Sequence, residues 1–186
     1  MLTTLNQVKN FIFLPEQDGP SDLQLTMMIG AVSQAIEGYC RRQFGRSTHT
    51  EWYSGGSSKL LLRNFPVQQI VRVTTLAGQE ITSYELLADT GELVLAEGWP
   101  SGEDNIKIEY EAGYVTPDQA TETLAANLPE SIELACIRYV QMLYEGQIGK
   151  VSERLGDYAV TYPEHSAGKL PAVVTQLLEP ALGRWL

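Results

Sequence analysis

Cysteine and histidine are nearly missing from this sequence: 186 residues hold two of each. Cys40 and Cys136 are isolated, so they make neither a disulfide framework nor a thiolate zinc site. Each falls on an expected helix face beside apolar residues, where packing as a small hydrophobe is the ordinary reading. A bridge between their two helices stays open. His49 lies in an expected strand and His165 in an expected loop. Neither has a neighbouring Cys or second His, and both read as surface residues. Positive charge is also scarce, with 13 Lys and Arg against 23 Asp and Glu, for a net charge of −10. That balance disfavours tight nucleic-acid binding, whose counterion-release term needs clustered cations. No apolar run approaches the roughly 20 residues of a membrane span. The first residues lack the charge and apolar core of a secretory signal, so the cytoplasm is expected. Phosphate-binding glycine loops, the nucleophile motif G-x-S-x-G and the spacing of a calcium loop are all absent. Gly55-Gly56 reads as a turn between strands. Metal, cofactor and catalytic chemistry therefore have no positive indication.

What is present is an ordinary globular composition, 44% hydrophobic and 19% charged, with a change of period along the chain. Thr4 and Gln7 have capping-box spacing, ahead of a stripe of Leu5, Val8, Phe11 and Ile12. This predicts a helix over about 4–13. A second helix, about 21–44, has its stripe at Met28, Val32, Ala35, Ile36, Tyr39 and Cys40. Arg41, Arg42 and Arg46 follow, the first two expected in its last turn, where cations complement the helix dipole. Short β-rich runs then occupy 48–53, 59–63, 69–76, 80–87, 92–96 and 106–111, separated by Gly, Pro, Asn and Asp turns. Alternation is cleanest where Ile106, Ile108 and Tyr110 oppose Lys107, Glu109 and Glu111. A third helix, about 129–145, opens at Pro129 and carries Ile132, Ala135, Cys136, Tyr139, Val140 and Leu143, which should pack on the second. A segment over about 146–168 reads as flexible, with one strand-like run at 158–162. A last helix, about 170–183, presents Val174, Leu177, Leu178 and Ala181, with Pro180 expected to kink or end it. The fold class is α+β: a mainly helical bundle with an inserted antiparallel β region of about six strands, in one domain.

Two surface features stand out. Residues 77–137 hold thirteen acidic residues and one basic residue, Lys107. They read as a solvated acidic face, as a surface that tolerates passing DNA without gripping it, or as one that meets a basic partner. Trp52, Tyr53, Tyr84, Trp99, Tyr110 and Tyr114 lie in or beside the strands. They fit either a sheet core or a subunit interface.

The order of these features is familiar. Tyr39-Cys40-Arg41-Arg42-Gln43-Phe44 closes the first helix pair; Trp52-Tyr53, Leu60-Leu61-Leu62, Pro66-Val67 and Ile70-Val71-Arg72-Val73 follow. Then come Tyr84, Gly91-Glu92-Leu93, Trp99-Pro100 and the run from Ile106 through Ala112-Gly113-Tyr114. Pro129, Leu143-Tyr144-Glu145, Gly156-Asp157-Tyr158 and Leu177-Leu178-Glu179-Pro180 complete it. Over nearly its whole length the chain resembles the head–tail connector (adaptor, or head-completion) proteins of long-tailed bacteriophages and prophages. Pro66-Val67, Ala112-Gly113-Tyr114 and Gly156-Asp157-Tyr158 carry the resemblance best.

The resemblance implies a structural virion protein, not an enzyme, that needs no cofactor. It implies self-association into a ring beneath the portal protein, extending the DNA channel without sequence-specific DNA binding. The ring would offer a platform to a tail-side connector or stopper protein. Assembly would occur in the host cytoplasm, with residence in the virion neck and no membrane. Two further expectations concern residues. The segment with Arg154, Asp157 and Tyr158 orders on assembly, and the last helix, with Leu177, Leu178, Leu182 and Trp185, docks on the portal. The alternative for the latter is that its apolar stripe packs within its own fold. The rival functions are a tail-completion protein, a cytosolic ligand-binding module and an enzyme using acidic residues.

Overall fold

The computed structural model describes residues 1–14, 19, 21–146, 152–155, 158–161 and 170–183. These form four α-helices: α1 (Leu5–Phe11), α2 (Asp22–Cys40), α3 (Glu130–Tyr144) and α4 (Ala172–Leu178). Six strands separate α2 from α3: β1 (Ser47–Tyr53), β2 (Lys59–Leu61), β3 (Val67–Thr75), β4 (Glu85–Leu87), β5 (Glu92–Val94) and β6 (Ile106–Ala112). A hairpin of β7 (Ser152–Leu155) and β8 (Tyr158–Thr161) lies between α3 and α4. The chain divides into two compact units, Met1–Cys40 with Leu128–Leu186, and Arg41–Asn127.

The helical unit begins with the expected capping box. Thr4 Oγ1 accepts from the Gln7 amide, and the Gln7 side chain accepts from the Thr4 amide. Together they satisfy two amides that a helix start would leave open. Leu2 and Thr3 tie this end down. The Leu2 amide donates to Ser33 Oγ of α2 at 3.0 Å, and Thr3 Oγ1 donates to Glu133 of α3 at 3.2 Å. The helices meet over Val8, Leu25, Ile29, Val32, Ile36, Ile132, Ala135, Cys136, Val140, Val174 and Leu178, all buried. α2 and α3 pack as expected, with Ser33 Oγ 3.8 Å from the Cys136 sulfur. Both cysteines are buried, and the two are not bridged to each other. Burial pushes the Cys136 thiol up to about 12, which leaves it no nucleophilic thiolate at neutral pH.

Two expectations for the helices are corrected, and the stop at Pro180 is as expected. α2 stops at Cys40, so no arginine sits in its last turn. Arg41 takes φ 54 and breaks the helix. Arg42 is buried with its guanidinium 3.5 Å from the centre of the Phe65 ring and 5.0 Å from that of Phe44, and it donates to the Phe65 carbonyl. Ala35 and Tyr39, expected on the buried stripe of α2, face outward. The buried line runs instead through Leu25, Ile29, Val32, Ile36 and Cys40, because α2 is apolar on both faces and periodicity alone cannot choose between them. α4 ends at Leu178, and Pro180 falls in a 3₁₀ turn over Glu179–Ala181, since its ring cannot continue the α-helical bonding.

The second unit holds two three-stranded antiparallel sheets, ordered β1-β6-β3 and β2-β5-β4. One core joins them: Tyr53, Val67, Val73, Ile106, Ile108 and Tyr110 from the first, Leu60, Leu62, Leu93 and Leu95 from or beside the second, and Trp99. β6 is central, and its burial alternates as expected, with Ile106, Ile108, Tyr110 and Ala112 inside. The expected strand over 80–87 contracts to Glu85–Leu87; upstream, Glu80 makes only an isolated bridge to Thr74. β3 is longer than expected and breaks register twice, between Val67 and Gln69 and between Ile70 and Arg72. Such bulges interrupt strict alternation.

Gly113 closes the first sheet. Its φ of +108 belongs to glycine, and a Cβ there would lie 2.6 Å from the Gly45 carbonyl oxygen. The backbones are drawn together by Gly113 N–H to Pro66 O, Tyr114 N–H to Phe44 O and Arg46 N–H to Tyr114 O, at 2.7 to 2.9 Å. We expect Gly113→Ala to cost roughly 2–4 kcal/mol by urea unfolding, from left-handed strain and overpacking together. A loss under about 0.5 kcal/mol would mean that Gly45 moves aside freely.

Candidate functional site

A polar cluster lies on the inner side of β1, at the alternating positions Ser47, His49, Glu51 and Tyr53. The Glu51 carboxylate accepts from Tyr53 Oη, from Tyr110 Oη at 2.9 Å and from Asn64 Nδ2 at 3.1 Å. Asn64 Oδ1 accepts from the Gln43 amide at 2.7 Å, and the Asn64 amide donates to Tyr110 Oη at 3.2 Å. Burial raises the pKa of Tyr53, and likewise pushes Tyr110 up to about 12. Both phenols therefore stay protonated and donate at neutral pH.

Ser47, His49 and Glu51 superficially resemble a hydrolytic triad, with Ser47 Oγ 3.1 Å from His49 Nε2. The hydrogen-bond network gives the opposite polarity. Asn64 Nδ2 is fixed as a donor, because Oδ1 is already engaged by the Gln43 amide, and this donor lies 3.3 Å from His49 Nδ1. Nδ1 therefore accepts, and the ring proton sits on Nε2. That proton points at Ser47 Oγ, whose own hydrogen is directed to the Gln43 side chain or the Gly45 carbonyl, both at 3.4 Å. A base must take a proton from its nucleophile, and this imidazole gives one. The cluster anchors the β1 edge to the Asn64 turn. Contrary to the expectation of a surface histidine, His49 is half-buried and its ring centre lies 5.3 Å from that of Tyr110. His165 lies outside the described residues.

The residues expected to contact partners are placed unevenly. Leu178 is fully buried in its own unit, Leu177 and Leu182 are half-buried, and Trp185 lies outside the described residues. Leu177 lines an open groove of about 720 Å³ in the helical unit, floored by Phe11, Leu134 and Ile137 and edged by Glu130 and Glu133. Burial raises the Glu133 carboxyl above its ordinary range. Arg154 and Tyr158 belong to the paired strands β7 and β8, and Asp157 lies outside the described residues. The strand aromatics divide. Tyr53, Trp99 and Tyr110 are buried, Tyr84 and Tyr114 half-buried, and Trp52 exposed. Among the described residues, no three His, Cys, Asp or Glu side chains gather as metal ligands. Nor is any helix among them long and apolar enough to cross a membrane.

A family model described as "Head completion protein" matches residues 1–180. This chain belongs to the head completion protein family. The fold is also that of chains in phage-like gene transfer agent particles. One, from the neck of an empty particle computed with C6 symmetry, has a TM-score of 0.62 at 15% identity. It covers 100% of this chain and 91% of its own. A chain of the native particle's virion gives 0.62 at 16% identity with the same coverage. A third, from the native neck computed with C12 symmetry, gives 0.57 at 16%, covering 88% and 84%. No curated protein matches.

In this head completion protein the polar cluster on β1 holds the fold, and exposed carboxylates are numerous in the second unit. Glu80, Glu85, Asp89, Glu97, Glu103, Asp104, Asp118 and Glu122 are all exposed. Several cations of the second unit are engaged locally. Arg42 is buried between phenylalanines, Arg46 pairs with Glu111 at 2.6 Å, Lys107 with Glu109 at 2.5 Å, and Arg72 stands in register with Glu109. Arg42 and Arg46, close in sequence, thus go to different local contacts that sequence proximity could not reveal.

The His49 tautomer predicts a pH response. Burial lowers its pKa below 6.5, outweighing the Glu51 charge, and protonation would set Nδ1–H against the Asn64 amide donor. A depressed folded pKa means that full stability is present above pH 6.5 and declines as pH falls below it. Unfolding measured from pH 7.5 to 5 should show this decline, and His49→Gln should flatten it. An unchanged slope in the variant would assign the response to other groups.

Proposed function

We propose that this head completion protein is the adaptor that forms a ring under the portal, prolongs the DNA channel and receives a tail-side connector or stopper. The single observation behind this reading is the match of the whole fold to chains of particle necks. The physical character of the surface supports it. A channel component must let DNA slide, and exposed carboxylates with locally paired cations provide no counterion-release gain that would hold a duplex. Its assembly takes place in the host cytoplasm.

Portal docking falls to the end of the chain. Leu178 has no free surface, which leaves Leu177, Leu182 and Trp185 as contacts, with the β7–β8 segment around Arg154, Asp157 and Tyr158 as the element that sets on assembly. The test mixes the protein with the portal ring of its own phage or prophage and records complex mass and images. A stoichiometric ring on the portal is expected. Both proteins folded yet unassociated, or a ring that forms on purified tail tubes instead, would move the assignment to a tail-completion protein. Leu182→Asp and Trp185→Asp should each weaken portal binding at least about tenfold with unfolding curves close to the parent. Leu178→Ala should instead cost roughly 2–5 kcal/mol of stability. Full portal binding by both folded aspartate variants would remove the docking role from this end.

A further inference from the structure

The outer face of α2 is uncharged and carries an apolar stripe along its length, flanked by the exposed Gln24 and Gln34. Leu23, Met27, Ala31, Ala35 and Tyr39 recur at every fourth position and are all exposed, Leu23 by 74% and Met27 by 68%. The stripe spans about 24 Å at the rise of an α-helix and contains no charged residue. Beside it, Gly30 and Gly38 meet nothing within 4 Å of where a Cβ would stand. Glycine inside a helix is unfavourable relative to alanine, and packing within this chain does not require either one. Small residues of this kind admit the close approach of another backbone.

We propose that this stripe seats a second copy of the chain, head to tail, in the groove formed by Phe11, Leu134, Ile137 and Leu177. The inference rests on the adaptor reading above and names the surfaces by which its ring closes. A ring needs a heterologous contact between two different surfaces of one protomer, and the helical unit carries both. On α3, Cys136 faces Ser33 of α2, while Glu130, Leu134 and Ile137 line the groove from a well-separated side of the helix, with Glu133 at its edge. The stripe and the groove are therefore turned away from each other, as successive subunits require. Charge selects the same pairing. The groove edge carries Glu130 and Glu133, and each copy has a net charge of −10. The uncharged stripe meets those carboxylates without the repulsion that the acidic surface of the second unit would bring. Leu23 and Met27, one turn apart and both more exposed than Tyr39, fill the groove. Leu177 thereby goes to the neighbouring copy, and portal docking is left to Leu182 and Trp185.

The test uses two full-length variants, Met27→Cys and Leu134→Cys, mildly oxidised at about 1 mM, a concentration that half-fills an interface of millimolar Kd. Native Cys40 and Cys136 are buried and do not compete. A disulfide-linked dimer is expected in the mixture and not in either variant alone, and a ladder of oligomers in the double variant. Leu23→Asp should weaken self-association at least tenfold while leaving unfolding unchanged. Crosslinking of Met27→Cys with itself would show stripe on stripe and overturn the head-to-tail contact. No crosslink from folded protein would overturn it too. So would a monomer whose Met27→Cys thiol resists maleimide, because the stripe would then be covered by the chain itself. Portal binding is read separately. A chain that caps the portal without these crosslinks refutes this surface alone, and crosslinking without portal binding refutes only the adaptor reading.

Discussion

The second unit depends on the approach of two backbones at Gly113. Ala112 is the last residue of β6 and pairs with Ser47 on one side and Val67 on the other. Beyond it the chain can pass Gly45 only because position 113 lacks a side chain. The three hydrogen bonds at this seam fix where both ladders begin. A slip of one residue would turn Ile106, Ile108 and Tyr110 outward and carry Lys107, Glu109 and Glu111 into the core. The register set there also brings Tyr110 to the Glu51 carboxylate. The polar cluster is thus a consequence of the seam as well as a brace for it.

That dependence explains why the groups that look most reactive are chemically quiet. A carboxylate that receives two phenols and an amide has its lone pairs engaged in holding strands together. The imidazole beside it is depressed by burial and oriented by a donor, so it offers its proton to a serine instead of removing one. Three residue types that serve catalysis elsewhere can sit on alternate positions of one strand and serve only its edge. Polarity of hydrogen bonding separates the two cases, and side-chain distance does not.

Much of the architecture was legible beforehand, and the reasons are local. The capping box at Thr4 and Gln7 is a four-residue signal, and the alternation along β6 follows from its inner face meeting the core and its outer face meeting water. Pro180 ends its helix by covalent geometry. What could not be read depends on distant partners. Arg42 looked like a helix-terminal cation, and only the return of Phe65 to the same place makes it a buried one. His49 looked like a surface residue because nothing near it in sequence announces Asn64. Leu177 and Leu178 looked alike as docking candidates; the turn of a short helix gives one to the groove and the other to the core.

α2 is where local reading and tertiary packing disagree most, and the disagreement has a physical content. A helix in a monomer gains by keeping one face polar, because exposed Leu and Met side chains order water without burying anything. α2 keeps an apolar stripe on each side, and the inner one lies in the helical core. The outer one, with two glycines that weaken the helix and fill no internal space, therefore works against the isolated chain. Such a cost persists when the state under selection is an assembly in which that face is covered. The ambiguous periodicity that led Ala35 and Tyr39 to be expected inside thus has a structural meaning: α2 has the composition of a buried helix, and folding of one chain buries half of it.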